Sequence, residues 1–161
     1  MFHGFKQDLF YKFHFVFSEE GYLYIVGPGS RNLPTAFLTA RPPANSGLES
    51  NQVSKDVDFS FPTGLEHWLT LDKKAGTEDY TIIFSPNSLN EPKFLAAEAT
   101  GEPLTREEQM ELTSFLGKYK AKAPKGELND KNANNPFMEL KVPKADPSGN
   151  PVVFDIRIQH Q

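Results

Sequence analysis

The sequence predicts an all-β fold: an antiparallel β-sandwich of about eight strands, immunoglobulin-like or jelly-roll-like, with one α-helix in its C-terminal half. Several segments alternate apolar and polar residues with a period of two, which turns one face of each strand towards a core. The chain holds 14 Phe and 5 Tyr, and 13 Pro and 11 Gly divide it into short segments. Its 161 residues, 38% hydrophobic and 24% charged, predict a single globular domain over 1–161.

The first strands are the most regular. Residues 8–17 predict a strand with one aromatic face, made of Tyr11, Phe13, Phe15 and Phe17. The turn sequence SEEG follows, and the run GYLYIVG after it predicts the second arm of a β-hairpin. Residues 35–40 predict a short third strand, and 41–51 a Pro- and Gly-rich connection.

The middle of the chain predicts three more strands, at 53–61, 65–71 and 78–85. In the first of these the residues predicted to point inwards are Val53, Val57, Phe59 and Phe61. Before the last one, Gly76, Thr77 and Glu78 are interpreted as a corner. In that interpretation the glycine adopts a backbone conformation that other residues resist, and Thr77 or Glu78 bonds backbone amides nearby.

Helical spacing appears after residue 100. Thr105 and Glu108 have the spacing of a capping box, and Leu112, Phe115, Leu116 and Tyr119 form an apolar stripe, so a helix is predicted at about 105–119. A weaker helical turn is predicted around 92–99. Residues 120–136 are polar and Asn-rich and predict a mobile loop, whereas 137–142 and 152–159 predict strands. We expect the last strand to close a sheet against an early one.

Composition bears on the classes of function. A net charge of −4 without a basic block argues against nucleic-acid binding, and the absence of cysteine removes thiol chemistry and disulfides. No apolar run reaches about 18 residues, so no membrane-spanning helix is predicted.

Calcium is the one cofactor that the sequence suggests. Asp130, Asn132 and Asn134 alternate as ligands do at the start of a calcium loop, but Asn135 replaces the expected glycine and Lys141 the expected bidentate glutamate. The alternative is an ordinary solvated loop. Two histidines, His14 and His67, fall in predicted strands and suggest zinc only weakly, since neither has a recognised ligand spacing around it.

Catalytic patterns are weak. There is no nucleophile elbow, P-loop or dinucleotide fingerprint, so no catalytic residue is assigned. Glu78 and Asp79 are adjacent acids at a strand entry, but successive strand residues point to opposite faces and these two cannot act on one substrate. Trp68 is either an outward binding anchor or a residue of a strand covered on both faces.

The chain resembles a bacterial family of domains of unknown function. The matching residues are Gly21 to Ile25, which correspond to a Gly-Tyr-Leu-Tyr-Ile hairpin, and Gly76 to Glu78 with Ser85, which correspond to a Gly-Thr-Glu strand motif. The resemblance covers about residues 8–100 and, more loosely, the final strand at 152–161, which is similar to the closing strand of such domains. Such domains are common in acidobacteria and accompany Ser/Thr kinase or caspase-like domains. The resemblance implies a β-sandwich accessory module for sensing or protein interaction, with an extracytoplasmic or cell-envelope location and no known catalytic residues.

Three functions follow as hypotheses. The first is a non-catalytic binding module for a protein or small-ligand partner, in a bacterial signalling or envelope protein. The second is a hydrolase or metal-dependent enzyme whose site is built from loops. The third is a structural envelope protein that assembles through edge strands.

Overall fold

In a computed structural model the chain forms ten strands and two helices within the described residues, which are 9–29, 32–63, 69–71, 76–119, 126–129 and 137–160. The strands are β1 Leu9–Phe17, β2 Gly21–Pro28, β3 Pro34–Leu38, β4 Gln52–Val53, β5 Phe59–Phe61, β6 Leu69–Leu71, β7 Gly76–Ser85, β8 Gly126–Asn129, β9 Phe137–Val142 and β10 Val152–His160. The helices are α1 Lys93–Ala96 and α2 Arg106–Lys118.

Two five-stranded sheets make up the fold and confirm the predicted all-β sandwich. The first sheet runs β5–β1–β9–β8, with β6 also pairing β1, and the second runs β10–β7–β2–β3, with β4 also pairing β2. Strands β1 and β9 pair in parallel, and the other described strand pairs are antiparallel. The last strand therefore closes the second sheet against β7, while the early strand β1 receives β9 instead.

The main core fills the space between the sheets. The aromatic face of β1 is buried as predicted, with Phe13, Phe15 and Phe17 at 0% exposure. Across the core, the ring of Phe13 lies 5.0 Å from that of Tyr80, and the ring of Phe17 lies 5.2 Å from that of Phe84. Each buried Phe contributes about 1.5–3 kcal/mol from burial alone, so this stripe is a main source of stability.

The predicted hairpin between β1 and β2 is wrong. The two strands lie in different sheets, and residues 18–20 carry the chain from one sheet to the other. Both strands have a strongly apolar face, and the crossing brings these faces together across the core instead of placing them side by side. Gly21 is the first residue of β2, directly after the crossing. A Cβ at this position would lie 2.5 Å from the carbonyl oxygen of Ser85 and 2.7 Å from the ring of Phe84.

The segment 53–61 is not one strand. Val53 belongs to β4 in the second sheet, and Phe59 and Phe61 belong to β5 in the first. Between them Asp56 has a φ of 59° and Val57 is 57% exposed, so the prediction that Val57 points inwards is also wrong. The bend at Asp56 ends the alternation that the residue pattern suggested.

Two other expectations need correction. Gly76 is the first residue of β7, pairs with His160 and has no left-handed φ, so Gly-Thr-Glu is part of a strand and not a corner. Within the predicted loop 120–136, residues 126–129 form β8, which pairs antiparallel with β9. The rest of that segment lies outside the described residues.

A helical layer covers the outer face of the second sheet. Helix α2 begins after Thr105, whose hydroxyl oxygen accepts a hydrogen bond from the amide of Glu108 (3.2 Å), as the capping pattern predicted. Leu112 and Phe115 of its apolar stripe are buried in a second core. The sheet residues of this second core are Tyr24, Val26, Ala36, Ile83 and Val153. Helix α1 confirms the helical turn predicted around 92–99.

Gly21→Ala is expected to lower the free energy of unfolding by about 1–3 kcal/mol, because the added methyl group would overlap the Phe84 ring and the Ser85 carbonyl. Urea denaturation measures this loss. The matched control is Gly76→Ala, where a Cβ would meet no atom within 4 Å and stability should change by less than about 0.5 kcal/mol. Equal losses in the two variants would contradict the crossing at residues 18–20.

Candidate functional site

Two neighbouring grooves lie on the helix-covered side of the molecule. Groove 1 is a cavity of about 450 Å³ between α1, the segment 97–104 and the N-terminal half of α2. Groove 2 is a more open cavity of about 510 Å³ between residues 91 and 92 and the α2 residues from Glu107 to Lys118. Glu111 lines both grooves, so they form one surface along α2.

Each groove combines apolar and acidic side chains. The apolar lining of groove 1 includes Ala36, Phe94, Ala99 and Leu104, and its charged lining consists of four glutamates and one lysine: Glu98, Glu102, Glu108, Glu111 and Lys93. Groove 2 is lined by Met110 and Phe115, by Glu91, Glu107 and Glu111, and by Lys118. Met110 is 63% exposed, which is unusual for a large apolar side chain on a helix whose other apolar residues pack inwards.

Backbone hydrogen bonds hold the walls of groove 1 against the edge of β3. The amide of Ala40 donates to the carbonyl of Leu95 (2.9 Å), and the amide of Leu104 donates to the carbonyl of Pro34 (2.8 Å). The hydroxyl of Thr39, 0% exposed, donates to the carbonyl of Ala97 (2.6 Å). These bonds satisfy backbone groups on both sides, so the groove is built on fixed elements.

The net charge of this surface is negative. Residues 91–118 contain six glutamates, two lysines and one arginine, which gives a net charge of −3 out of −4 for the whole chain. Glu107 and Glu108 occupy the first turn of α2, where the helix dipole favours negative charge. The grooves therefore present a negative potential next to apolar surface.

A second feature is a chain of buried hydroxyl groups between the sheets. The hydroxyl of Tyr11 donates to the carboxylate Oε2 of Glu78 (2.8 Å) and lies 2.7 Å from the hydroxyl of Tyr80. Since Tyr11 has one proton and gives it to Glu78, Tyr80 donates to Tyr11. Burial, with the negative charge of Glu78 nearby, raises the pKa of Tyr11 far above its ordinary value of 10.0, and burial also raises the pKa of Tyr80.

Glu78 and Asp79 point to opposite faces of β7, as their adjacency predicted. Glu78 reaches Tyr11 between the sheets, and Asp79 lies on the outer face, where its Oδ1 accepts from Nε of Arg157 (2.7 Å). The expected bond from Glu78 or Thr77 to a backbone amide at a corner is thus replaced, for Glu78, by the bond from Tyr11. A paired-acid mechanism is excluded for these two residues by geometry.

The histidine hypothesis is only partly within the described structure. His14 lies on the outer face of the first sheet, where its Nδ1 is 2.9 Å from Oδ2 of Asp58, and its side chain is 25% exposed. His67 and Trp68 lie outside the described residues. Within the described ranges, no group of three or more His, Asp or Glu residues is arranged to hold a metal ion.

The calcium hypothesis stays a prediction, because Asp130, Asn132 and Asn134 lie outside the described residues. The grooves, in contrast, were missed by reasoning from the sequence. The available signal was the group of glutamates in α2, Glu107, Glu108 and Glu111, with Met110 among them off the predicted apolar stripe.

Comparison with protein-family models, with curated proteins and with solved structures finds no match for this chain. The resemblance to a bacterial family of domains of unknown function therefore stays a prediction. Among the described helices, none has the length and apolar character needed to cross a membrane.

Glu78→Ala is expected to lower the free energy of unfolding by about 1–3 kcal/mol, because the buried Tyr11 hydroxyl loses its acceptor. Glu78→Gln keeps an acceptor oxygen at this position and should lose clearly less. Chemical denaturation of both variants makes the comparison. Wild-type stability in Glu78→Ala would show that this hydrogen bond does not support the fold.

The tyrosine pair predicts a loss of stability at alkaline pH. Because the pKa of each tyrosine is raised by folding, the contribution is complete below pH 10 and is lost as the pH rises above it, where the unfolded chain releases protons that the folded chain retains. Tyr11→Phe should make the slope of the unfolding free energy against pH shallower by about 0.7 kcal/mol per pH unit at pH 10, where half of the unfolded tyrosine is ionised, and by up to about 1.4 kcal/mol per pH unit above it. Urea denaturation between about pH 9 and about pH 11 measures the slope, and an unchanged slope would contradict the burial of Tyr11.

Proposed function

We propose that this chain is a non-catalytic binding module whose two grooves receive a cationic, amphipathic peptide segment of a partner protein. The observation that carries the proposal is the surface of two adjoining grooves along α2, where apolar side chains lie beside glutamate side chains. The role agrees with the accessory module that the sequence resemblance implies.

The size of the grooves supports a peptide segment as the ligand. Cavities of about 450 and about 510 Å³ are within the usual range for binding sites, and together they extend along α2 from Thr105 to Lys118. Exposed Met110 and partly buried Phe94 offer adaptable apolar contacts. An amphipathic segment can place apolar side chains in the grooves while its cationic side chains meet the glutamates.

Charge supports the cationic character of the partner. Four glutamates and one lysine line groove 1, and three glutamates and one lysine line groove 2, with Glu111 common to both. A lysine or arginine of the partner therefore meets a surplus of negative charge in either groove. Complementary charges of this kind raise the association rate and exclude acidic competitors. Binding should therefore weaken as the salt concentration rises.

The test uses two designed amphipathic peptides, each labelled for fluorescence anisotropy. The first has leucine on one face and lysine on the other, and the second has glutamate in place of every lysine. The wild-type chain is expected to bind the lysine peptide, and Glu111→Lys should weaken that binding at least about fivefold, which is about 1 kcal/mol. The matched control is Glu49→Lys, which makes the same charge change at an exposed site outside both grooves.

Two results would contradict the proposal. Equal weakening in Glu111→Lys and Glu49→Lys would show a general effect of net charge. Equal affinity of the wild-type chain for the lysine and glutamate peptides would show that the acidic lining plays no part in recognition.

A further inference from the structure

The two ends of the second sheet differ in how their edges are covered. At one end, the edge of β3 is occupied by backbone hydrogen bonds to α1 and to the segment before α2. At the other end is β10, which pairs with β7 over all nine of its residues. No described strand or loop forms a backbone ladder with the opposite edge of β10, so alternate N–H and C=O groups along it face outwards.

Strand β10 also lacks two of the features that usually prevent edge pairing, a bulge and a proline. Its register with β7 runs without a bulge from Val152 to His160, and the strand contains no proline. On its inner face the buried residues are apolar: Phe154, Ile156 and Ile158 are each 5% exposed. A long, regular edge of this kind is a template for another strand.

The outer face of β10 shows which strand fits. Asp155 and Arg157 are both exposed and lie two positions apart, on either side of Ile156. We propose that a second copy of this chain pairs with β10 in antiparallel orientation, through a two-fold axis at Ile156. In this register Asp155 of each copy lies opposite Arg157 of the other, and both charge pairs are attractive.

Other two-fold registers are less favourable. An axis at Asp155 places that carboxylate opposite its own copy, and an axis at Arg157 does the same for the guanidinium, so like charges face each other. A slip by one residue places the apolar inner face of one copy against the charged outer face of the other. With the axis at Ile156, opposite charges meet on the outer face of the sheet, and Phe154 of each copy lies opposite Ile158 of the other on the inner face.

The ion pair already present within the chain is compatible with this arrangement. Arg157 uses Nε to donate to Asp79 (2.7 Å). A guanidinium has five N–H donors in a planar fork, so the same side chain can serve Asp79 of its own chain and Asp155 of the second copy. The dimer would join the two five-stranded sheets that contain β10 into one continuous sheet.

The test is a charge-exchange experiment on Asp155→Arg and Arg157→Asp, read by analytical ultracentrifugation over a concentration series. The wild-type chain is expected to shift to the mass of two chains as its concentration rises. Each variant alone places like charges opposite each other and should dimerise at least about tenfold more weakly, a change of about 1.4 kcal/mol. Mixed in equal amounts, the two variants should form a dimer again, because each pair then combines an arginine with an aspartate.

The controls separate pairing from folding and from net charge. Thermal melts show that both variants are folded, and Glu20→Arg makes the same charge change as Asp155→Arg at an exposed site outside β10 and should dimerise like the wild type. A wild-type chain that stays at the mass of one chain at every concentration would overturn the proposal. So would single variants that dimerise as well as the wild type, or a mixture that forms no mixed dimer.

Discussion

The contact between the aromatic face of β1 and the inner face of the second sheet is the constraint on which the rest of the structure depends. It requires the chain to cross between sheets at residues 18–20, and the crossing requires a glycine at position 21 under the ring of Phe84. It also makes β7 the central strand of the second sheet, between β2 and β10. With Ile82 buried towards the first sheet and Ile83 towards the helices, β7 connects the two cores.

The two proposed binding surfaces follow from how the second sheet is completed at its ends. The helical layer is attached to β3 and to the residues just after it, since the amide of Ala40 donates to Leu95 and the carbonyl of Pro34 accepts from Leu104. The grooves therefore form over that end of the sheet. The helices reach Val153 near the start of β10, but Asp155 and Arg157 remain exposed beyond it. One end of the sheet therefore carries the acidic grooves, and at the other end the outer edge of β10 is paired with no described strand.

Local residue patterns predicted individual strands and helices well, but they predicted poorly which strands pair with one another. Alternation identified the buried face of β1, and Thr105 with its apolar stripe identified α2, because both signals lie within a few residues. The hairpin prediction was wrong because the sequence SEEG is compatible both with a tight hairpin and with a crossing between sheets. Packing against Phe84, more than sixty residues away in the chain, favours the crossing. The grooves were missed for the same reason, since their walls depend on bonds between residues 39–41 and 95–99.

The central claim is that β2 pairs with β7 and faces β1 across the core. The most direct measurement is the pattern of short interproton distances between backbone protons, by nuclear Overhauser spectroscopy on the labelled chain. The structure predicts cross-strand contacts that join Leu23 to Phe84 and Tyr24 to Ile83. A ladder that instead joins Phe17 to Gly21 and Phe15 to Leu23 would show a hairpin and would contradict the account.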